Sequence, residues 1–452
     1  MFYLMIIVFI LGYLMIALEH PLKINKTATA LMLGVLIWTI YILAGEGIYD
    51  PANFHSGFDS FKLAHPDLQN PFVEYVAGSE MLAHLGDISE ILFFLIGAMT
   101  IVEVVDQHQG FTIITDHITT RDKVKLLWIL GFITFFLSAV LDNLTTTLVM
   151  IALLRKLIYD QKERWFFAGI IVIAANAGGA WSPIGDVTTI MLWIGNYVTA
   201  GHLVVHTFLP SLVSLVIPLT AVSFMLKGEF EEHPLHARMT TGSPVRLPRL
   251  HRNLMFWLGI GSLLFVPVFK MMTHLKPYVG VMLGLSVVWI ANDLLYRRSG
   301  DKHTKYRVAQ IISRIDMSSI LFFLGILLAV AGLQSAGQLS MLSGGLDKAF
   351  GDNYNAINVV IGLLSSVIDN VPLVAGAIGM YGFETNHIFW TFLAYCAGTG
   401  GSILIIGSAA GVAAMGMEKI DFIWYLKKIT PLALIGYLAG AGTFILMDNL
   451  LF

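Results

Sequence analysis

Two short motifs with the same order of polar residues interrupt long apolar stretches of the chain. Asp142 is followed by Asn143 and Thr145 in the first motif, and Asp369 is followed by Asn370 in the second. Carboxylate, amide and hydroxyl oxygens are the hard ligands that small cations prefer in proteins. The two motifs therefore predict that a small cation such as Na+ is held by Asp142, Asn143, Asp369 and Asn370.

Two further motifs, at 176–189 and 398–408, combine polar side chains with several glycines. Proline and glycine interrupt a helix and leave backbone carbonyls free, and those carbonyls can also bind a cation. Together the four motifs predict one ion-binding set. It consists of Asp142, Asn143, Thr145, Asn176, Ser182, Asp186, Thr188, Thr189, Ser365, Asp369, Asn370, Thr399 and Ser402.

The charged residues of these motifs are all acidic. Asp142, Asp186 and Asp369 occur there without any arginine, which favours a cation over an anion. A carboxylate inside a membrane costs about 3 kcal/mol and is a functional hypothesis by default. Because either sodium or a proton can neutralise that charge, competition between the two is enough to couple their transport.

Structural roles are the alternatives for the same residues. An aspartate before a helix often only caps it, and threonines bond carbonyls of their own helix. Glycines also serve close helix packing, and helix N-termini at the breaks could hold an anion instead. Asp186 has no acidic counterpart in the second half of the chain, where Ser408 lies nearby.

The composition indicates that these motifs lie in membrane helices. Hydrophobic residues make up 56% of the 452 positions and charged residues only 13%, against about 25% in soluble proteins. Many apolar runs approach the 20 or so residues that a membrane-spanning helix needs, and residues 1–17 are predicted to be a retained first helix. We therefore predict an all-α integral membrane protein in contact with lipid.

Other classes of protein are disfavoured by composition and motif content. The net charge of −3 implies no nucleic-acid partner, and the single cysteine, Cys396, excludes an internal disulfide. No nucleophile–base pair and no zinc motif of the His-Glu-x-x-His type is present, so we predict no enzyme and no cofactor.

Basic residues predict the orientation of the chain. Placing six basic clusters in the cytoplasm accounts for 23 of the 27 lysines and arginines. Lys125 and Arg155 then bracket about 30 residues, too few for two crossings of about 20 residues each. Residues 126–154 are therefore predicted to form a re-entrant helical hairpin. Threading the chain through the other loops requires 355–381 to enter and leave on one face as well, which predicts a second hairpin.

Three motif pairs reveal an internal repeat. Segments beginning at Asp87, Ser138 and Ala177 recur 229, 227 and 220 residues later, in the same order. The charge map gives the two copies opposite orientations, as in transporters with inverted repeats, broken helices and a midplane site. The predicted divisions are 1–80 (N-terminal scaffold and outer loop), 84–230 (first repeat, with hairpin 126–154 and broken helix 165–195), 231–312 (linker and scaffold helices) and 313–452 (second repeat, with hairpin 355–381 and broken helix 388–415).

These motifs resemble those of the NhaD-type sodium/proton antiporters, which belong to the ion transporter superfamily. The resemblance is carried by Leu141-Asp-Asn-Leu-Thr-Thr-Thr147, Ile368-Asp-Asn-Val-Pro372, the segment 176–189 and Gly398-Thr-Gly-Gly-Ser402. It implies a homodimer in a bacterial inner membrane, with scaffold and transport domains moving like an elevator. It also implies exchange of cytoplasmic Na+ or Li+ for external H+, with a role in pH homeostasis.

The same superfamily supplies the competing function. Its sodium/dicarboxylate symporters and arsenite permeases imply an anion transporter coupled to Na+ or H+ on the same fold. The dicarboxylate relatives carry a Ser-Asn-Thr triplet at each hairpin tip, whereas this chain has Asp142 and Asp369 in place of the serine. An added carboxylate repels an anion and attracts a cation, so the difference favours antiport.

Overall fold

The computed structural model describes residues 1–48, 56–115, 118, 120–226, 228–230, 247–297, 306–351 and 353–451. Within these ranges the chain is helical and contains no strand, so the predicted all-α class is confirmed. Eight of the described helices are long and apolar enough to cross a membrane. Parts of the predicted outer loop and of the predicted linker at 231–312 lie outside the described residues.

Nineteen helices longer than one turn are given labels here, for the described residues only. They are α1 Phe2–Ala17, α2 Lys26–Ala44, α3 Ser56–Ala64, α4 Pro71–Gln107 (with a π-helical turn at Val76–Glu80), α5 Lys123–Leu141, α6 Asn143–Leu157, α7 Gln161–Ala180, α8 Val187–Ile194, α9 Ala200–Met225, α10 Arg249–Thr273, α11 Pro277–Tyr296, α12 Met317–Ser335, α13 Gln338–Phe350, α14 Tyr354–Leu364, α15 Asn370–Met380, α16 Ile388–Gly400, α17 Ala409–Glu418, α18 Phe422–Lys428 and α19 Thr430–Leu451.

The chain divides into two compact units. The first consists of Met1–Leu95, Asp316–Ile357 and Val371–Glu384. In it α2 packs along α12, and a Cβ added at Gly34 would lie 2.7 Å from the carbonyl oxygen of Gly325. This close approach needs glycine, because a side chain would push the two backbones apart.

The second unit consists of Ile96–Ile315, Asn358–Asn370 and Thr385–Phe452. Its central helix is α7, in which every residue from Phe167 to Ala180 is buried. A helix that is buried on all sides is surrounded by protein, and α5, α6, α9 and α16 all pack against α7. The predicted scaffold assignment of 1–80 and 231–312 stays a prediction.

Each of the four polar motifs lies between two helices. Asp142 separates α5 from α6, and residues 365–369 separate α14 from α15. The glycine-rich motifs include the ends of α7 and α16 and the breaks after them, and the chain starts a new helix at Val187 and at Ala409. The polar side chains therefore lie at helix ends, where backbone groups are free to bind them.

Glycine contacts give the register of the repeat within the second unit. A Cβ added at Gly185 would lie 2.8 Å from the Ser138 carbonyl oxygen, and one added at Gly407 would lie 2.8 Å from that of Ser365. The two glycines are therefore equivalent, 222 residues apart, while the two serines are 227 residues apart. The offset of 220 inferred from the third sequence motif differs from this register by two residues.

The corrected register makes Asp186 equivalent to Ser408. Both residues cap the helix that follows the break: the Asp186 carboxylate accepts from the Thr188 amide, and the Ser408 hydroxyl accepts from the Gly411 amide. The carboxylate of the first half is thus replaced by a neutral hydroxyl in the second. The two halves share a backbone design but differ in charge at this position.

A buried glutamate ties the end of α17 to the first hairpin. The Glu418 side chain is fully buried and forms ion pairs of 2.6 Å with Arg155 Nε and 2.8 Å with Arg164 Nε. Its backbone carbonyl accepts from Gln161 Nε2 and from Trp165 Nε1. One residue therefore anchors α17 of the second half to α6 and α7 of the first.

Glu418→Gln is expected to lower the stability of the protein by about 1–3 kcal/mol. The substitution keeps the shape but leaves two guanidinium groups without a counter-charge, and half-exposed Arg155 limits the loss. The thermal unfolding midpoint of the purified protein measures the effect, with exposed Glu384→Gln as the matched control. Equal midpoints for the two variants would show that the ion pairs contribute nothing.

Candidate functional site

The Asp186 carboxylate is the centre of a buried polar cluster in the second unit. Asp186 is 1% exposed and begins α8 in a capping box with Thr189. One carboxylate oxygen accepts from the backbone amide and hydroxyl of Thr188, at 2.9 and 3.0 Å. The break after α7 therefore holds this charge in one orientation.

The asparagines of both Asp-Asn motifs meet at the same carboxylate. Asn143 Nδ2 donates to Asp186 Oδ2 at 2.6 Å. Asn370 Nδ2 lies 3.2 Å from the same oxygen and 3.3 Å from Asp186 Oδ1. The two asparagines are buried and stand at equivalent positions of the repeat. Asp186 is thus the point at which the two halves converge.

Asn176 extends the cluster toward the second broken helix. Its Oδ1 accepts from Asn143 Nδ2 at 3.2 Å, and its Nδ2 donates to the Ser408 hydroxyl at 3.0 Å. Asn176 is fully buried on α7. A continuous chain of hydrogen bonds therefore runs from Asp186 to its repeat equivalent, Ser408.

Asp142 and Asp369 lie beside this centre. The Asp142 carboxylate accepts from the backbone amide and the hydroxyl of Thr145, both at 2.8 Å, so Asp142 caps α6. Its backbone φ of 101° is in a region that favours glycine. Both aspartates are half-buried and repel the Asp186 charge electrostatically. A cation in their midst would relieve that repulsion.

The remaining predicted hydroxyls bind backbone carbonyls in the structure. Ser182 donates to Ala139 and Ser365 to Ala397, which fastens each hairpin to a broken helix. Thr399 and Ser402 donate within the second broken helix, to Tyr395 and Thr399. These four residues shape the backbone around the cluster, and direct ion binding by them stays a prediction.

Two threonines extend the polar character of the first hairpin. Thr146 and Thr147 are fully buried at the start of α6. Among the side chains that the structure describes, both hydroxyls are without a hydrogen-bond partner. A buried hydroxyl without a partner is unfavourable, so these oxygens are available to a ligand.

A family model described as Citrate transporter matches residues 13–392, most of the chain. The chain belongs to this family. Three relatives bear names that agree with the NhaD-type motifs.

Sodium/proton antiporter 1 of Arabidopsis thaliana is 45% identical, over 99% of this chain and 73% of the relative. Sodium/proton antiporter 2 of the same plant is 42% identical, over 98% of this chain and 99% of the relative. Na(+)/H(+) antiporter NhaD of Vibrio cholerae is 30% identical, over 99% of this chain and 92% of the relative. The recognition of the chain as NhaD-type is thereby confirmed.

Membership of this family identifies the NhaD-type chain as a secondary transporter and not an enzyme. The eight described helices that are long and apolar enough to cross a membrane make it a multi-pass membrane protein. The cluster around Asp186 is therefore the polar interior of a transporter.

One member of the cluster was missing from the predicted ion-binding set of the NhaD-type chain. Ser408 accepts a hydrogen bond from Asn176 and caps α17. Its position in the sequence indicated this role, because Ser408 ends the second glycine-rich motif and Asp186 stands near the end of the first. The offset of 220 obscured this equivalence, because it aligned Ser182 with Ser402 instead.

Proposed function

We propose that the protein exchanges cytoplasmic Na+ or Li+ for external H+, with the Asp186 carboxylate as the charge for which they compete. The observation that carries this proposal is the meeting of Asn143 and Asn370 at one buried carboxylate. A single negative charge can be neutralised by a metal cation or by a proton, and binding of one displaces the other.

The neighbouring amides suit both forms of the site. With the cation absent, the Asn143 and Asn370 amide groups donate N–H to the carboxylate. Rotation of either amide by half a turn presents its Oδ1 instead, and oxygen is the ligand that Na+ or Li+ needs. The Asn176 Oδ1 and the Thr146 and Thr147 hydroxyls supply further oxygens at the first hairpin tip.

Alternating access would come from the elements that carry the tips. We propose that α5–α6 and α14–α15 are re-entrant hairpins, and that the cluster moves with them in an elevator-like motion within a homodimer. The inverted repeat and the breaks after α7 and α16 support this, since both are features of secondary transporters. The membrane would be one that sustains a proton gradient, such as the bacterial inner membrane expected from sequence.

Transport of an anion is the second candidate, since the matching family model is described as Citrate transporter. The described cluster argues against it, because Asp142 and Asp369 both repel the charge on Asp186 there. A dicarboxylate would add two more negative charges to this set. Burying them next to like charges would be strongly unfavourable.

A flux measurement separates the two functions. In proteoliposomes with an imposed pH gradient, addition of NaCl or LiCl is expected to dissipate the gradient. Choline chloride and choline citrate are expected to leave the gradient intact. Dissipation by choline citrate, with no effect of NaCl, would establish the anion transporter and refute the antiporter.

The direction of the pH effect follows from the competition. Protons occupy the carboxylate more often as pH falls, so the apparent Na+ affinity is expected to decrease toward acidic pH. Activity should therefore rise toward alkaline pH, which agrees with a role in removing Na+ while acidifying an alkaline cytoplasm.

A further inference from the structure

Glu80 is a buried carboxyl group of the first unit that the transport proposal does not use. Glu80 ends the π-helical turn of α4 and is 9% exposed. The Tyr41 hydroxyl donates to Glu80 Oε2 at 3.3 Å, and the Ser335 side chain also hydrogen-bonds the carboxyl group. His84, one turn further along α4, places Nε2 3.2 Å from the same Ser335 hydroxyl. Three helices, α2, α4 and α12, thus contribute to one polar cluster.

The partners of Glu80 are neutral. Among the described residues the carboxyl group is held by the Tyr41 and Ser335 hydroxyls, and no lysine or arginine forms an ion pair with it. An ionised carboxylate in an apolar surrounding is costly when no cation balances it. Protonation removes that cost while keeping both hydrogen bonds. The π-helical turn points the same way, because such turns occur frequently at functional sites.

The Ser335 hydroxyl joins the acid to a base. A hydroxyl both donates and accepts, and a neutral imidazole has one donor and one acceptor nitrogen. The chain from Glu80 through Ser335 to His84 can therefore pass a proton from the carboxyl group to the ring, with the hydroxyl losing one proton and gaining another.

We propose that Glu80, Ser335 and His84 form a proton-binding site that regulates transport. It belongs to the first unit, whereas the Asp186 cluster belongs to the second. The charge pattern of the sequence predicts that this end of α4 faces outward, so the site would respond to external pH. Its regulatory role rests on the proposed antiport, but proton binding itself does not.

Other titratable groups lie around the site. Tyr41 on α2 hydrogen-bonds Glu80, and Tyr75 and Asp87 lie on α4. Tyr75 lies close enough to Glu80 for a Coulombic interaction, and Asp87 lies close enough to His84 for another. On α12 the contributing side chain is Ser335, which does not titrate.

Infrared spectroscopy of the full-length protein in lipid nanodiscs tests proton binding directly. We expect a carbonyl stretching band from a protonated carboxyl group that disappears in Glu80→Gln and remains in Glu74→Gln. Glu74 is the matched control, since it is an exposed glutamate on the same helix. Ser335→Ala is expected to keep the band but move it to higher frequency, because the carboxyl group loses a hydrogen-bond partner. An unchanged band in Glu80→Gln would overturn the proposal.

The pH dependence of Na+-driven proton flux tests the regulatory role. Glu80→Gln imitates the protonated form permanently, so the slope of log rate against pH is expected to fall by about one proton. Glu74→Gln should keep the wild-type slope. An unchanged slope in Glu80→Gln, together with loss of its infrared band, would refute regulation while leaving proton binding in place. Absence of Na+-driven flux in the wild type would instead refute the antiport.

Discussion

Asp186→Asn is expected to abolish sodium-driven proton movement while the protein stays folded. The substitution keeps the size of the side chain and its acceptor for the Thr188 amide, but it removes the negative charge. A buried unit charge next to Na+ is worth a few kcal/mol even at an effective dielectric constant of about 20. The expected loss is therefore at least about 100-fold in exchange rate at fixed Na+ concentration.

Proteoliposome flux measures this loss, with Asp160→Asn as the matched control. Asp160 is an exposed aspartate that caps α7 through the Glu163 amide, and asparagine also caps helices well. The control should retain wild-type exchange. Normal Na+-driven flux in Asp186→Asn would refute the assignment of this carboxylate as the shared charge.

The second large effect is expected from the two asparagines at the hairpin tips. Asn143→Ala and Asn370→Ala each remove one amide from the Asp186 carboxylate. In the Na+ form each amide would turn its Oδ1 to the cation, and a polar contact to a charged group contributes about 1.5–3 kcal/mol. Each variant should therefore lower the apparent Na+ affinity about 10-fold to 100-fold. Because both amides contact one carboxylate oxygen, the double variant should lose less than the two single effects combined.

Asn358→Ala is the matched control for this series. Asn358 is a fully buried asparagine on α14, and its amide donates to the Phe389 carbonyl at 3.0 Å instead of to the cluster. The substitution should lower stability and leave Na+ affinity unchanged. Strictly additive effects of the two tip substitutions would mean that the tips do not share a ligand.

The sequence motifs predicted the membrane class, the repeat and the residues of the cluster other than Ser408. They did not predict which carboxylate receives hydrogen bonds from both asparagines. Asp142 and Asp369 were predicted as cation ligands because they occupy equivalent positions in the repeat. The convergence on Asp186 depends on how far each broken helix is shifted relative to its hairpin. That shift follows from the packing of Gly185 and Gly407 against hairpin carbonyls, which a pattern of residue types does not encode.

The partner of each hydroxyl was likewise beyond sequence reasoning. Ser182, Ser365, Thr399 and Ser402 have the chemistry of cation ligands, yet each donates to a backbone carbonyl in the structure. A serine in a glycine-rich break satisfies either role equally well. The choice depends on distances of a few tenths of an ångström between helices, and these arise only when the whole unit is packed.

Contacts between distant segments could not be predicted from the sequence either. Glu418 lies at the end of a short apolar helix, where a glutamate is usually interfacial, and its two arginine partners are more than 250 positions away. Glu80 was predicted to lie at the end of the acidic outer loop, so no buried role was expected for it. Both are buried by helices remote in the chain, so their environments follow from tertiary packing alone.

The central claim is tested most directly by calorimetric titration of the purified protein with Na+ in buffers of different ionisation enthalpy, across a pH series. If one carboxylate is shared, binding of each Na+ releases about one proton in the acidic range, and the apparent affinity falls about tenfold for each unit of decreasing pH. Asp186→Asn should show neither effect. Sodium binding with the same affinity at every pH, and with no proton release, would contradict the account.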